Sequence, residues 1–299
     1  MTAHFHTGFR AGLIGKGIQA SLTPSMHMAE GRAQGFAYDY ELLDLDRLSG
    51  GVELLPGLLK DAEDRGLSGL NVTHPCKQAI LPFIDVLSDD ARALGAINTV
   101  VLRGGRRHGH NTDWWGFAES FRRGLPNADL DRVVQLGAGG AGAATAFAIL
   151  RLGARHLTIF DRDAPRAQDL AEAMEGHFPD AVVVPGDDLE ASTQGASGLI
   201  HATPTGMVKY PGLPLPAELL GPRLWVAEIV YFPLETELLS VARKRACRVL
   251  NGGGMAVFQA VEAFRLFTDI KPDAERMLRH FMDLTREPQD EAKVAGGVR

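Results

Sequence analysis

Along most of the chain, short apolar runs alternate with stretches whose apolar residues recur at helical spacing. The runs Ala11–Ile14, Gly69–Val72, Thr99–Leu102, Arg132–Leu136, His156–Phe160, Ala181–Val184, Gly198–His201 and Leu224–Glu228 predict strands. Between them, Asp61–Arg65, Gly142–Leu152 and Pro165–His177 read as amphipathic helices. That alternation predicts an α/β fold with mostly parallel sheets, whose strands are buried on both faces. A turn-rich break at Leu125-Pro126-Asn127 puts a domain boundary between Thr112 and Asp129. A second crossover is expected near Gly252-Gly253-Gly254. After it, Met255–Phe267, with Val257, Val261 and Phe264 on one face, predicts a long helix that packs back on the first domain. The expected organisation is an N-terminal α/β substrate and catalytic domain over 1–115, completed by 255–285. A Rossmann dinucleotide-binding domain occupies 116–254, and a polar tail over 286–299 is expected to fray.

Composition narrows the class. A chain of 299 residues can hold two modest domains, and 45% hydrophobic with 23% charged residues is ordinary for a globular protein. A net charge of −6 argues against a nucleic-acid partner, though a local pocket can still attract a small anion. The two cysteines, Cys76 and Cys247, stand far apart, so neither a disulfide framework nor a zinc motif is expected. His108 and His110 flank Gly109 without zinc-ligand spacing, and no metal is expected. Met1–Arg10 carries no apolar run with a cleavage site, and no stretch approaches the roughly 18 apolar residues of a membrane helix. A cytoplasmic protein without nucleic-acid or membrane partners is expected; monomer or homodimer stays open.

Gly137-Ala138-Gly139-Gly140-Ala141-Gly142 follows one predicted strand and opens a helix. Glycines there allow a tight turn and close approach of the backbone to a pyrophosphate, while the helix N-terminus offers free N–H groups. A glycine loop alone is a weak signal; here strand, helix and a downstream carboxylate, Asp161, occur together. A carboxylate at that strand end accepts from ribose hydroxyls and repels a 2′-phosphate. Arg162 and Arg166 are near enough in sequence to bind such a phosphate. Bracketing by Asp161 and Asp163 is expected to neutralise Arg162 locally, so the balance favours NAD over NADP. Arg166 is left with a solvated loop or stacking on adenine.

Three polar clusters lie in the other domain: Gly15–Pro24, Asn71–Lys77, and Gly95–Thr99 followed by Gly109–Asp113. In the first, Ser21 and Thr23 would point the same way if the backbone is extended. In the second, Pro75 ends an extended run. Each cluster alone is also what turns and helix caps look like.

Together, and in order, these segments resemble the shikimate dehydrogenase family from about Gly12 to Pro272. Ser21-x-Thr23-Pro24 is similar to its Ser-x-Ser-Pro loop, and Asn71-Val72-Thr73-x-Pro75-x-Lys77 to its Asn-Val-Thr-x-Pro-x-Lys motif. Ala96-Ile97-Asn98-Thr99 and Asn111-Thr112-Asp113 resemble its Asn-Thr and Asn-Thr-Asp segments. Ala202–Met207 resembles its Ala-Thr-Pro-x-Gly-Met loop, and Gln259 stands at its final substrate glutamine.

The resemblance implies that Lys77 and Asp113 are the catalytic pair. It implies that Ser21, Thr23, Thr73, Asn98 and Gln259 bind a cyclic polyol acid, and that Asn111 supports Asp113. On the cofactor side it implies Thr203, Ile229 and Gly252 beside the glycine loop Gly137, Gly139, Gly140, Ala141 and Gly142. The carboxylate of Asp113 favours a charged Lys77, whereas burial beneath a cationic nicotinamide favours the neutral base. Thr23 in place of the commoner serine, and Asp161 in place of Asn-Arg-Thr-type sequence, resemble the NAD-using branch that oxidises quinate as well as shikimate. Trp114-Trp115 is bulkier than is usual after the aspartate, and Glu228 stands where aspartate is common. Shikimate-only and aminoshikimate enzymes, and a non-catalytic dinucleotide sensor, are the alternative readings.

Cys76, His74 and the Phe264–Phe267 region invite blander readings as packing or local hydrogen-bonding residues.

Overall fold

A computed structural model describes residues 8–286. His4, His6 and all of the expected frayed tail except Arg286 lie outside them. The elements in chain order are β1 (Phe9–Gly15), α1 (Thr23–Ala33), β2 (Tyr38–Asp44), α2 (Leu55–Asp64), β3 (Gly69–Val72), α3 (Cys76–Ala79), β4 (Val86–Leu87), α4 (Asp89–Leu94), β5 (Thr99–Arg103), β6 (Arg106–His110) and α5 (Asp113–Gly124). Then follow β7 (Arg132–Leu136), α6 (Gly140–Arg151), β8 (His156–Phe160), α7 (Ala164–His177), β9 (Val182–Pro185), α8 (Leu189–Gln194), β10 (Gly198–His201), β11 (Trp225–Glu228), α9 (Glu237–Lys244), β12 (Arg248–Leu250), α10 (Gly253–Thr268) and α11 (Ala274–Thr285).

Two six-stranded sheets result. The second has the order β12-β11-β10-β7-β8-β9 and is parallel throughout. The order in which its strands are laid down reverses between β7 and β10, and in such sheets ligands bind outside the carboxyl ends of the strands at that point. The first sheet, β2-β1-β3-β5-β6-β4, is mixed rather than mostly parallel: β5 runs antiparallel to both β3 and β6. Gly104-Gly105, both at positive φ, turn β5 straight back into β6, so no crossover helix is needed there. β6, with the sequence Arg-Arg-His-Gly-His, carries no apolar signal and is held by backbone pairing to β5 and β4 and by the Arg107 side chain, which donates to Glu63 and the Phe83 carbonyl.

The long helix α10 does return to the first sheet. Phe264 and Phe267 are buried against Ala11, Tyr38 and Val101. Gly69 makes this possible, since a Cβ there would lie 2.2 Å from the Phe267 ring. Across its other face α10 meets α5 closely: a Cβ on Gly116 would lie 2.7 Å from the Gln259 nitrogen, and one on Gly254 would strike Ser120. Small residues therefore bring α10, and with it Gln259, up to the first turn of α5. No described helix is long and apolar enough to cross a membrane.

Candidate active site

β3 ends at Val72, and Pro75 precedes the single turn α3, which carries Lys77. β6 ends at His110, and Asp113 is the first residue of α5. The paired ends of β3, β5 and β6 thus bring two residues far apart in sequence to one edge. Lys77 Nζ donates to Asp113 Oδ2 at 2.5 Å, with the lysine side chain 26% and the aspartate 9% exposed. A carboxylate in the first turn of a helix is favoured by the macrodipole.

Asp113 is fixed from three sides. Asn98 Nδ2 donates to its other oxygen at 2.9 Å, and its own backbone N–H donates to Asn111 Oδ1 at 3.1 Å. Asn111 is anchored in turn through Nδ2 to the Ala96 carbonyl. Asn98 also accepts from the Thr112 N–H at 2.7 Å and reaches Gln259 Oε1 at 3.2 Å. Behind it, the Tyr40 hydroxyl donates to Asn71, Asn71 to Thr99, and Thr99 to Asn98. Tyr40, Asn71, Thr99 and Thr112 were not among the residues singled out from sequence. Asn71, Thr99 and Thr112 lay inside quoted motifs, but nothing local indicates that their side chains form one buried chain.

Thr73 sits at the base of the preceding loop: its N–H donates to the Ile14 carbonyl, and a Cβ on Gly15 would meet its methyl at 2.3 Å. Asp44, at the end of β2, accepts from Gly17 N and Gln19 Nε2, and these bonds hold its carboxyl below the usual carboxylate range. Ser21 and Thr23 depart from expectation. The backbone between them is helical rather than extended, with Leu22 at φ −83° and ψ −9°, because Leu22 is the N-cap of α1 and its carbonyl already accepts from the Met26 N–H. The Ser21 hydroxyl accepts from the Thr23 N–H at 3.4 Å. Among the described residues neither hydroxyl bonds to Lys77 or Asp113.

The glycine loop leaves β7 at the switch point. Gly137 adopts φ +106°, and a Cβ there would lie 2.5 Å from the Ala202 carbonyl oxygen. One on Gly142 would lie 2.2 Å from the Gly137 oxygen, whereas Gly139 and Gly140 face open space within 4 Å. Gly137 and Gly142 are thus required by the fold, and Gly139 and Gly140 leave room at the helix N-terminus, the shape a pyrophosphate needs. Beneath, the buried Gln135 donates to the carbonyls of Gly137 and Gly142 and accepts from Thr145, a support with no signal in the sequence.

Asp161 accepts from Ala138 N at 2.7 Å and from Asp163 N at 3.0 Å, which ties it to the glycine loop. The expected neutralisation of Arg162 does not occur: among the described residues it pairs with neither neighbouring aspartate. Arg166 instead reaches Asp163 at 3.1 Å, because i,i+3 positions share a helix face. Ile229 donates to the His201 carbonyl, and a Cβ on Gly252 would lie 2.2 Å from the Ile229 oxygen, so these two positions form one close backbone contact. The bulk of Trp114 is taken up beside the cleft, its indole N–H donating to Asp90 and its ring packing edge-on against Phe147. Burial pushes the Cys76 thiol up to about 11, which suits a packed residue rather than a reactive one.

A mixed α/β unit joined to a doubly wound parallel sheet, with a glycine loop at the switch point and a Lys–Asp pair on the facing edge, is the architecture of a Rossmann-type oxidoreductase. The family model described as the shikimate dehydrogenase substrate binding domain matches residues 13–100, and that of the shikimate 5′-dehydrogenase C-terminal domain matches 252–280. The chain belongs to the shikimate dehydrogenase family. It is 56% identical over 92% of its length to a shikimate dehydrogenase (NADP(+)) of Streptomyces avermitilis, covering 96% of that protein. It is 45% identical over 93% of its length to a quinate/shikimate dehydrogenase (NAD(+)) of Corynebacterium efficiens, covering 99%. Among solved structures, quinate dehydrogenase from Corynebacterium glutamicum in complex with NAD superposes with a TM-score of 0.89 at 45% identity, covering 93% of this chain and 99% of that one.

Proposed function

We propose that the chain interconverts quinate with 3-dehydroquinate and shikimate with 3-dehydroshikimate, using NAD. The observation that carries the chemistry is the Lys77–Asp113 pair, held by Asn98 and Asn111. Oxidising a secondary alcohol removes a hydride from carbon and a proton from oxygen. A bound nicotinamide dinucleotide supplies the hydride acceptor. Lys77 Nζ, in its neutral form, takes the hydroxyl proton; in the reverse direction the ammonium returns it to the forming alkoxide. Asp113 keeps Nζ in place and is available to accept from a second ring hydroxyl. Asn98 and Gln259, bonded to each other beside the pair, face the ring, and Ser21, Thr23 and Thr73 take the carboxylate end. Substrate and cofactor domains are best divided at 1–115 with 255–285, and 116–254.

The preference for NAD rests on Asp161, whose carboxylate at the end of β8 would repel a 2′-phosphate. A second reading, a shikimate dehydrogenase using NADP, is favoured by one observation: Arg162 is exposed and free of both neighbouring aspartates. The name of the Streptomyces avermitilis relative points the same way. The two separate on kcat/KM for quinate and shikimate with each cofactor at equal ionic strength. Higher efficiency with NAD and measurable quinate oxidation support the first reading. Shikimate turnover confined to NADP would replace it with the second, and no turnover of either acid would remove both.

A further inference from the structure

At the carboxyl ends of β10 and β11, where purely apolar neighbours would pack most simply, two polar side chains stand opposite each other in register. His201 pairs with Glu228 along the ladder, and both side chains are 0% exposed. His201 Nδ1 lies 2.7 Å from Glu228 Oε1. The other carboxylate oxygen accepts from the hydroxyl of Thr236, which itself caps α9 by accepting from the Leu239 N–H. Both carboxylate oxygens are therefore occupied, and the imidazole is locked in one orientation. Its remaining nitrogen, Nε2, lies 2.5 Å from Thr203 Oγ1.

Thr203 is where this buried chain surfaces. It is half-buried, and its methyl would lie 3.1 Å from a Cβ on Gly137, so it stands directly against the first residue of the glycine loop. A free threonine hydroxyl turns to suit any partner. Here one of its bonds is always taken by His201 Nε2, and it also accepts weakly from the Thr205 N–H at 3.3 Å. One acceptor position on the oxygen is left for a ligand, on a residue that stands against the glycine loop.

We infer that His201 and Glu228 form a positioning pair that pre-orients the Thr203 hydroxyl toward a bound nicotinamide dinucleotide. With Nδ1–H given to Glu228, Nε2 accepts the Thr203 proton, so the oxygen has a lone pair left to offer and the group met there is a donor, a ribose hydroxyl or the carboxamide NH2. Ordering the hydroxyl before the ligand arrives removes a cost that binding would otherwise bear. The inference rests on the reading of this cleft as a dinucleotide site.

The test is NADH affinity, followed by fluorescence, in variants of the full chain. His201→Asn places an amide where Nδ1 was, keeping a partner for Glu228, but has no atom in place of Nε2. It should weaken NADH about fivefold, the effect of one ordinary hydrogen bond, with kcat changed less than KM. Thr203→Val should give a loss of similar size, Thr203→Ser should restore affinity, and the double variant His201→Asn/Thr203→Val should bind no worse than Thr203→Val alone. Additive losses, or a His201→Asn protein that melts earlier but binds NADH normally, would overturn the pairing. Should His201→Asn not fold, Thr203→Val binding as tightly as the parent overturns it equally. A parent protein that binds neither NADH nor NADPH would instead remove the dinucleotide reading beneath it.

Discussion

In the first unit, the geometry around Lys77 and Asp113 is set by side chains: Asn98, Asn111, Thr99, Asn71 and Tyr40 come from separate strands and turns and satisfy one another in near-complete burial. In the second unit, the glycine loop is set chiefly by backbone: two glycines have no room for a Cβ, two others leave open space, and Gln135 props the loop from below. A corner proposed to handle a proton needs rigid, directional partners, since a misplaced base costs rate steeply. The site for a dinucleotide needs concave room and unpaired N–H groups, which glycine and a helix terminus supply without side chains. Substitutions in the first unit should accordingly cost turnover, and in the second, affinity.

The sharpest way to break that contrast is Lys77→Ala. Loss of a general acid–base group should lower kcat about 100- to 10,000-fold while NADH affinity, read by fluorescence, stays within about twofold of the parent. A comparable loss of affinity would mean that the two units do not divide the labour in this way.

Acid should damage the side-chain-built unit through His27. This residue is fully buried between Tyr38, Tyr40 and Phe264, with Nδ1 3.0 Å from the Tyr38 hydroxyl and Nε2 without a partner among the described residues. Burial lowers it from 6.5 to about 3. A base depressed on folding binds its proton more readily in the unfolded chain, so stability is complete above about pH 6.5 and falls as pH drops toward 3. The stability difference between the parent and His27→Gln, from urea midpoints, should narrow by about 2–3 kcal/mol between pH 7 and pH 4.5. A difference independent of pH would show that His27 is protonated without penalty. Because Tyr40 packs at a tilt against His27 and also holds Asn71, turnover should decline over the same range before global unfolding.

The backbone-built unit separates two kinds of glycine. Gly142→Ala should cost about 1–3 kcal/mol of stability, because its Cβ would meet the Gly137 carbonyl oxygen. Gly139→Ala, in open space and with extended backbone at φ −76° and ψ −173°, should leave the melting temperature nearly unchanged. It should nevertheless weaken NADH about tenfold or more by filling the room beside the helix N-terminus. Equal melting losses in both variants would contradict the division.

The same contrast explains what could be read without coordinates. Strands β3, β7, β8 and β10 are short, largely apolar segments and were legible to the residue, and the glycine loop announced itself by its place between strand and helix. β2 and β6 were not: β2 is an edge strand carrying Asp39 and Glu41, and β6 is polar, held by pairing to β5 and β4 and by the bonds of Arg107 to Glu63 and Phe83. Lys77 and Asp113 were reached through resemblance, and nothing in their spacing alone predicts a 2.5 Å contact. The contacts of Asn98 and of the buried His201–Glu228 pair depend on register between strands distant in sequence, which no local pattern encodes, and Gln135 depends on how the glycine loop folds over the end of its own strand. Arg162 was misjudged because closeness in sequence was taken for closeness of charge, whereas Asp161 turns its carboxylate to backbone N–H groups and Asp163 pairs with Arg166.

The smallest effect concerns Thr23 and tests how far side-chain precision extends beyond Lys77 and Asp113. Quinate carries its carboxylate on a saturated carbon that also bears a hydroxyl, whereas in shikimate the carboxylate lies beside a ring double bond and leaves at another angle. The backbone at Thr23 is already fixed, by Pro24 in the first turn of α1 and by the bond from its own N–H to Ser21. What Thr23→Ser changes is therefore the side chain alone: it removes a methyl and frees χ1, so the hydroxyl can follow either carboxylate. One methyl is worth about 0.8 kcal/mol, so the quinate-to-shikimate ratio of kcat/KM should move toward shikimate by roughly fourfold. NADH affinity should not move, since the loop lies in the first unit. A ratio unchanged within error would place the discrimination elsewhere, with the Asn98–Gln259 bond the next candidate. A change in NADH affinity would show that the α1 loop and the nucleotide cleft are not independent, and the contrast between the two units would have to be redrawn.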